Sequence, residues 1–210
     1  MSCISLGTFQ MHPYSISHTS GWQMKLHSSS GQGNLLSWDV VDGNLLQHSV
    51  GVQLRWHDIL QSNFVSGQEV VLDGMPFLCR IPHIGTDQEP CIQHPWIYDF
   101  WAIQEYSEKN CLLAGDGCSI IDPKEEHTQA HIRLLLEPHC PDLNEMVGKI
   151  VRLLLPTGIF QAKMIEAGEY DLTCTDLELI TGCASPNWLL WKRAKSYITR
   201  SAVINAAIIE

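Results

Sequence analysis

Residues 142–183 constrain what this chain can fold into more than any other stretch. They read DLNEMVGKIVRLLLPTGIFQAKMIEAGEYDLTC and then TDLELITGC. Apolar runs of strand length (150–155, 159–165, 170–174 and 177–180) alternate with turn residues at Pro156-Thr157-Gly158 and Ala167-Gly168-Glu169. That alternation is hairpin grammar, and it predicts a small antiparallel meander, a curled sheet or half-barrel. No catalytic motif lies inside it, so the stretch reads as a binding module.

Upstream the pattern is weaker but of the same kind. Residues 1–34 are rich in Ser, Gly, Gln and His and read as irregular or edge structure, with one weakly alternating strand over 21–26. Asp42-Gly43 between two apolar runs is a hairpin signal. Val50, Val52, Leu54 and Trp56 alternate as in a half-buried strand. The stretch from Gly67 to Phe77 echoes the one from Gly148 to Phe160: glycine, strand, tight turn, strand opening on an aromatic. Three prolines make 82–95 a loop, and 96–109 (WIYDFWAIQEYSEK) is the helix expectation. Pro138-His-Cys-Pro141 reads as a stiff boundary. Residues 187–209 read as two final strands or a hairpin around 192–195. The fold class expected is therefore β-rich α+β, with antiparallel sheets and few helices. A first domain spans 1–138, and a small antiparallel, barrel-like domain spans 142–210.

Charge narrows the partners. The net charge of -10 is concentrated in residues 1–144, which hold 16 acidic and 6 basic side chains, against 7 of each in 145–210. An acidic body repels phosphate backbones, which argues against general nucleic-acid binding but leaves room for a local anion site in the C-terminal part. Only 17% of residues are charged while seven are tryptophan, which points to surface covered by a ligand or by further copies of the chain in a homo-oligomer. No apolar run reaches the roughly 18 residues of a membrane helix, and the N-terminal residues lack a secretory pattern. Eight cysteines with no CxxC pair are expected to be free thiols in a reducing, cytoplasmic compartment.

Catalytic signatures are weak. His127 and His131 have the i, i+4 spacing of a helical metal pair, but the glutamate that would follow the first histidine of a metalloprotease is missing. There is no GxSxG elbow, and Cys111 and Cys118 lie in packing-type contexts. No phosphate-cradling glycine motif follows a strand. The expectation is no catalytic residue, no metal site and no cofactor. Binding chemistry is better represented. Trp96 and Trp101 flank Tyr98 and Phe100, and Trp188 and Trp191 precede Lys192 and Arg193. Aromatics beside cations can stack a planar ring and hold an anion, as a nucleotide requires.

Three stretches together resemble a group of uncharacterised phage and prophage proteins of Gram-positive bacteria. FLCRIPHIG (77–85) is similar to their FLCRLP..G segment, and HPWIYDFW (94–101) to their HW....SW. HIRLLLEP (131–138), with Val147-Gly148-Lys149 and Tyr170-Asp171-Leu172, is similar to their GFRPVLEP, IGK and DYDL. The resemblance implies a middle part like a C-type lectin or formylglycine-generating enzyme and a small Sm-like β-barrel tail. It brings no active site with it. Arg133, in the third stretch, joins Trp96, Trp101, Trp188, Trp191, Lys192 and Arg193 as a candidate ligand-binding residue. The functional expectation is a non-enzymatic phage protein that sequesters a small polar host molecule such as a nucleotide immune signal. A virion structural or glycan-binding component and a metal-dependent hydrolase are the alternatives.

Overall fold

The computed structural model describes residues 3–16, 19–48, 53–64, 66–81, 83–85, 111–113, 120–121, 129–131, 133–182 and 195–209. The chain is a β-rich α+β protein, and every ladder among the described residues is antiparallel. In chain order the first elements are β1 (Cys3–Ile16), β2 (Thr19–His27), β3 (Asn34–Val41), β4 (Asn44–Gln47), β5 (Gln53–Arg55) and helix α1 (Trp56–Gln61). Then come β6 (Gln68–Leu72), β7 (Met75–Arg80), β8 (His83–Gly85), β9 (Cys111–Leu113), β10 (Ile120–Ile121), β11 (Gln129–His131) and β12 (Leu135–Pro138). The C-terminal elements are β13 (Ile150–Leu155), β14 (Gly158–Ala167), β15 (Asp171–Gly182), β16 (Ser196–Thr199) and β17 (Asn205–Ile208). No helix of the described residues is long and apolar enough to cross a membrane.

The large sheet has the order β2-β1-β3-β4-β12-β7-β6. Its inner face is one apolar cluster that includes Ile4, Leu6, Met24, Trp38, Leu45, Leu72, Phe77 and Leu136. Residues 3–16, expected to be irregular or edge structure, form instead its longest strand, paired on both sides by β2 and β3. A bulge at Gly7 (φ +73°) hides the pattern, because Ile4 and Leu6 face the core before it and Phe9 and Met11 pack there after it. One inserted residue flips the period-two alternation, so the strand reads as irregular sequence.

The edges of this sheet come together. At one end of the seam, Ser29 and Asp73 clasp: the Ser29 amide donates to Asp73 Oδ1 (2.8 Å), the Ser29 hydroxyl to Asp73 Oδ2, and the Asp73 amide to Ser28 Oγ (3.0 Å). Along the rest, α1 takes the place of a neighbouring strand for β2. The Trp22 amide donates to Asp58 Oδ1 (2.9 Å) and the Met24 amide to Ser62 Oγ (2.9 Å). Asp58 and Ser62 are four apart, hence on one helical face, and they meet amides two apart, hence on one strand edge. Asp58 also accepts from the Arg55 amide (3.2 Å), the return half of a capping box, and from Arg55 Nε (3.1 Å). Ile59 and Phe64 complete the plug from inside the core. Trp56, read as part of a strand, opens this helix.

The meander forms as expected, in a small sheet of order β16-β15-β14-β13-β17. The two final strands lie on its opposite edges although residues 200–204 alone join them. Flat, those edges would be about 19 Å apart across four strand spacings of about 4.8 Å. The six Cα steps from Thr199 to Asn205 would reach about 20 Å fully extended, but the 3₁₀ turn at Arg200–Ala202, rising about 2 Å per residue, shortens the link to about 16 Å. The sheet must therefore curl, and it does so into a nearly closed barrel around Val151, Leu153, Phe160, Met164, Leu172 and Cys174. Its outward residues Leu154, Ile159 and Ala207 belong to the large core. Polar staples hold the contact: Arg152 Nη1 donates to the Asp73 carbonyl (2.6 Å) and the fully buried Asn205 donates to the Pro76 carbonyl (2.6 Å).

Between β7 and β12 the chain leaves the large sheet. In this excursion β8, β9 and β10 form a three-stranded sheet, and β11 pairs with β5. His83–Gly85, expected within a loop, is thus a strand. The helix expected over 96–109 lies outside the described residues.

Candidate ligand-binding site

The excursion departs and returns at the middle of the large sheet, and there the outer face carries charge. Register fixes the arrangement. Asp39 on β3 pairs with Leu46 on β4, Leu46 with Leu135 on β12, and Leu135 with Arg80 on β7. This rung points away from the core, since the flanking Trp38, Leu45, Leu136 and Cys79 belong to the inner cluster. Leu46 and Leu135 are nevertheless wholly buried at 0% exposure, so the outer face is covered here.

Two ion pairs bracket the leucines. Asp39, almost wholly buried, receives Nδ1 of His48 at 2.9 and 3.0 Å on its two oxygens. The His48 side chain is 55% exposed, against 6% for Asp39. Since the Asp39 carboxylate is the acceptor, Nδ1 carries the proton and Nε2 is the ring's remaining polar atom. Arg80 grips Glu137 through Nε (2.5 Å) and Nη2 (2.9 Å), a forked pair across neighbouring strands. The start of β12 is pinned by Gln47, whose amide donates to the Leu134 carbonyl (2.9 Å) and whose side chain accepts from the Leu134 amide (3.1 Å). Leu134 faces the core, so strand alternation puts the half-buried Arg133 on the outer side with Leu135, beside the position of His48.

Of the seven ligand-binding residues expected from sequence, Arg133 is the one described, and it falls in this cluster. Trp96, Trp101, Trp188, Trp191, Lys192 and Arg193 lie outside the described residues. Asp39 and His48 were not anticipated, yet the signal was present. A two-residue turn at Asp42-Gly43 sets the register in which 41 meets 44 and 39 meets 46, leaving 48 diagonal to 39. The Arg80–Glu137 pair spans 57 residues, and no local pattern marks it.

Nucleophilic chemistry has little support in the described thiols. Burial pushes the Cys79 thiol well above its ordinary value, and Glu137 adds to the effect. Burial raises Cys174 to about 11. Cys140 is also raised by burial, partly offset by the Ala206 backbone and Arg200. All three therefore stay protonated near neutral pH and are poor nucleophiles. Cys111 begins β9, while Cys118 lies outside the described residues. No group of three His, Cys, Asp or Glu with metal-binding geometry occurs among the described residues. His131 sits in β11, a strand rather than the helix its spacing with His127 would need, and His127 lies outside the described residues.

Two concavities accompany the cluster. One, of about 440 Å³, lies where the large sheet meets the barrel, between the Asp42-Gly43 turn, Pro138, Pro156 and Val203. The other, of about 490 Å³, runs along the β6–β7 hairpin beside Val71, Leu78 and His139. Neither is lined by an arginine or a lysine, whereas the outer face of β3, β4, β12 and β7 carries the Asp39–His48 and Arg80–Glu137 pairs. Compared with protein-family profiles, curated proteins and solved structures, the chain matches none.

Proposed function

We propose that this chain is a non-enzymatic binding protein that holds a small polar, anionic ligand of nucleotide type on the outer face of β3, β4 and β12. One observation carries the reading: charged groups cluster on a covered outer face around two wholly buried leucines. Burying a charge costs several kcal/mol unless it is paired, and apolar residues would seal such a face more cheaply. Here the charges pair as Asp39–His48 and Arg80–Glu137, and His48, the exposed member, is the group of this face turned to solvent where a ligand could meet it. At the edge of this face the exposed His48 offers a group for an anion, with the sequence-derived candidate Arg133 beside it. The raised thiols agree with a binding rather than a catalytic role. The similarity to phage proteins favours sequestration of a host nucleotide signal in the cytoplasm, by a homo-oligomer that is neither membrane-bound nor a general nucleic-acid binder.

Native mass spectrometry of the purified chain, followed by calorimetric titration with a panel of mono- and dinucleotides, tests the reading. A stoichiometric nucleotide adduct that Arg133→Gln weakens tenfold or more supports it. A bare protein that takes up no member of the panel rejects it. Stoichiometric zinc would favour the hydrolase alternative, and binding confined to glycans would favour the virion one.

A further inference from the structure

Two hairpin turns of the large sheet form a matched pair. Asp42-Gly43 joins β3 to β4, and Asp73-Gly74 joins β6 to β7. Each is a two-residue loop with both residues at positive φ, 49° and 74° in the first and 49° and 85° in the second. That is the type I′ geometry which Asp-Gly favours, so backbone conformation does not distinguish the two aspartates. Anchoring does. The half-buried Asp73 is held at its carboxylate by the Ser29 amide (2.8 Å) and hydroxyl, at its amide by Ser28 Oγ (3.0 Å) and at its carbonyl by Arg152 Nη1 (2.6 Å). Ser29 Oγ is itself fixed by the Gly7 amide (2.9 Å). Asp42 is exposed, and among the described residues no hydrogen bond restrains its carboxylate; Asn44 Nδ2 reaches its carbonyl instead (3.2 Å). The space beside Gly43 is open, with nothing within 4 Å of where a Cβ would stand.

An aspartate followed by glycine can react with its own backbone, because glycine has no Cβ to shield its amide nitrogen. The glycine nitrogen attacks the side-chain carboxyl carbon, a carboxyl oxygen leaves as water with the amide proton, and a five-membered succinimide forms. Water then opens the ring. Opening at the side-chain carbonyl restores aspartate, whereas opening at the main-chain carbonyl leaves the chain running through the side chain as isoaspartate. We infer that Asp42-Gly43 is a site of spontaneous isoaspartate formation, and that the Ser28–Ser29–Asp73 clasp protects Asp73-Gly74 from the same reaction. Ring closure swings the carboxyl carbon onto the following nitrogen. Asp42 needs its turn to open, while Asp73 must also give up charge-assisted hydrogen bonds. The product carries one extra backbone methylene in a loop that sets the register of β3 with β4 and lines the concavity between the large sheet and the barrel. The inference is independent of the binding reading.

The test is storage of the folded chain in heavy-oxygen water at pH 7.4 and 37 °C, sampled over weeks and digested with trypsin in ordinary water. Asp42 and Asp73 fall in different tryptic peptides, 26–55 and 56–80. Asp116-Gly117, outside the described residues, reports separately on 110–124. Ring opening adds one heavy oxygen to the product, and electron-transfer fragmentation locates the isoaspartate. The expected rate at Asp42 is about tenfold or more above that at Asp73, since loss of one charge-assisted hydrogen bond is worth about that factor. In urea, with the turns unfolded, the two rates should converge. Ser29→Ala should raise the Asp73 rate several-fold and leave the Asp42 rate unchanged, which separates loss of the clasp from general unfolding. No isoaspartate at Asp42 in the folded chain, or equal rates at the two aspartates, overturns the inference. A ratio that persists in urea, or that Ser29→Ala leaves unchanged, overturns the protective role of the clasp and assigns the difference to flanking sequence.

Discussion

The large sheet draws its edges together with side chains, whereas the small barrel does so with backbone. In the small barrel a link over 200–204 joins the two edge strands and leaves no geometry except a curled one. At the start of β14, Gly158 pairs with Gly182 so closely that a Cβ on Gly158 would lie 2.2 Å from the Thr181 carbonyl oxygen. In the large sheet, β2 and β6 meet through Ser28, Ser29 and Asp73, and the β2 edge is satisfied by Asp58 and Ser62. Backbone closure needs little charge, and among the described residues no Asp, Glu, Lys or Arg of β13 to β17 is buried. Side-chain closure requires buried polar groups with every partner present, and it leaves the seam sensitive to single atoms. The same large sheet carries the buried charges of its outer face. Polar investment is concentrated in one of the two units, and there we place binding.

Substitutions can break this contrast in a graded way. Gly158→Val should cost the most, more than about 3 kcal/mol, because φ is +145° and the added atoms meet backbone that cannot move aside. Urea unfolding followed by far-UV circular dichroism would measure it, and a cost under about 1 kcal/mol would mean that the barrel strands can separate freely. Asp58→Ala should cost about 2–4 kcal/mol, since it orphans the Trp22 amide, removes the acceptor of the Arg55 amide at the helix start and breaks the ion pair with Arg55 Nε. Ser62→Ala should cost about 1–2 kcal/mol, by leaving the buried Met24 amide without its acceptor. Hydrogen exchange at Trp22 and Met24 should accelerate in both variants while the barrel amides keep their protection.

The smallest effect comes from pH. Burial alone would raise the Asp58 carboxyl, but hydrogen bonds from the Arg55 side chain and the Trp22 and Arg55 amides outweigh it and hold the group below its ordinary 3.8. A depressed carboxylate contributes stability that is full above the unfolded-state value and is lost as pH falls through the folded one. The wild-type protein should therefore lose this contribution on acidification below about pH 3.8, and Asp58→Asn should flatten that limb of the stability curve. An unchanged acid limb in Asp58→Asn would remove the carboxylate from the seam's energetics.

The barrel was legible from sequence because its elements announce themselves locally. Pro156-Thr157-Gly158 and Ala167-Gly168-Glu169 fall between runs of strand length, and β13, β14 and β15 follow them closely. The Asp42-Gly43 and Asp73-Gly74 hairpins were legible for the same reason. What escaped was non-local. The bulge at Gly7 scrambled the alternation of β1, and α1 is a six-residue helix, too short to display helical periodicity. Closure of the seam joins residues 36 or more apart, such as Trp22 with Asp58 and Ser29 with Asp73. The site divides likewise. Arg133 came from a similarity of motif and Asp39–His48 lay implicit in hairpin register, but only the fold brings β12 between β4 and β7 to assemble them.

Hydrogen–deuterium exchange with and without the tightest-binding member of the mono- and dinucleotide panel at saturation would test the central claim most directly. If the outer face of the large sheet holds the ligand, protection should rise over residues 37–48 and 133–137 and stay unchanged over 150–182. Protection that rises in the small barrel alone would contradict the account.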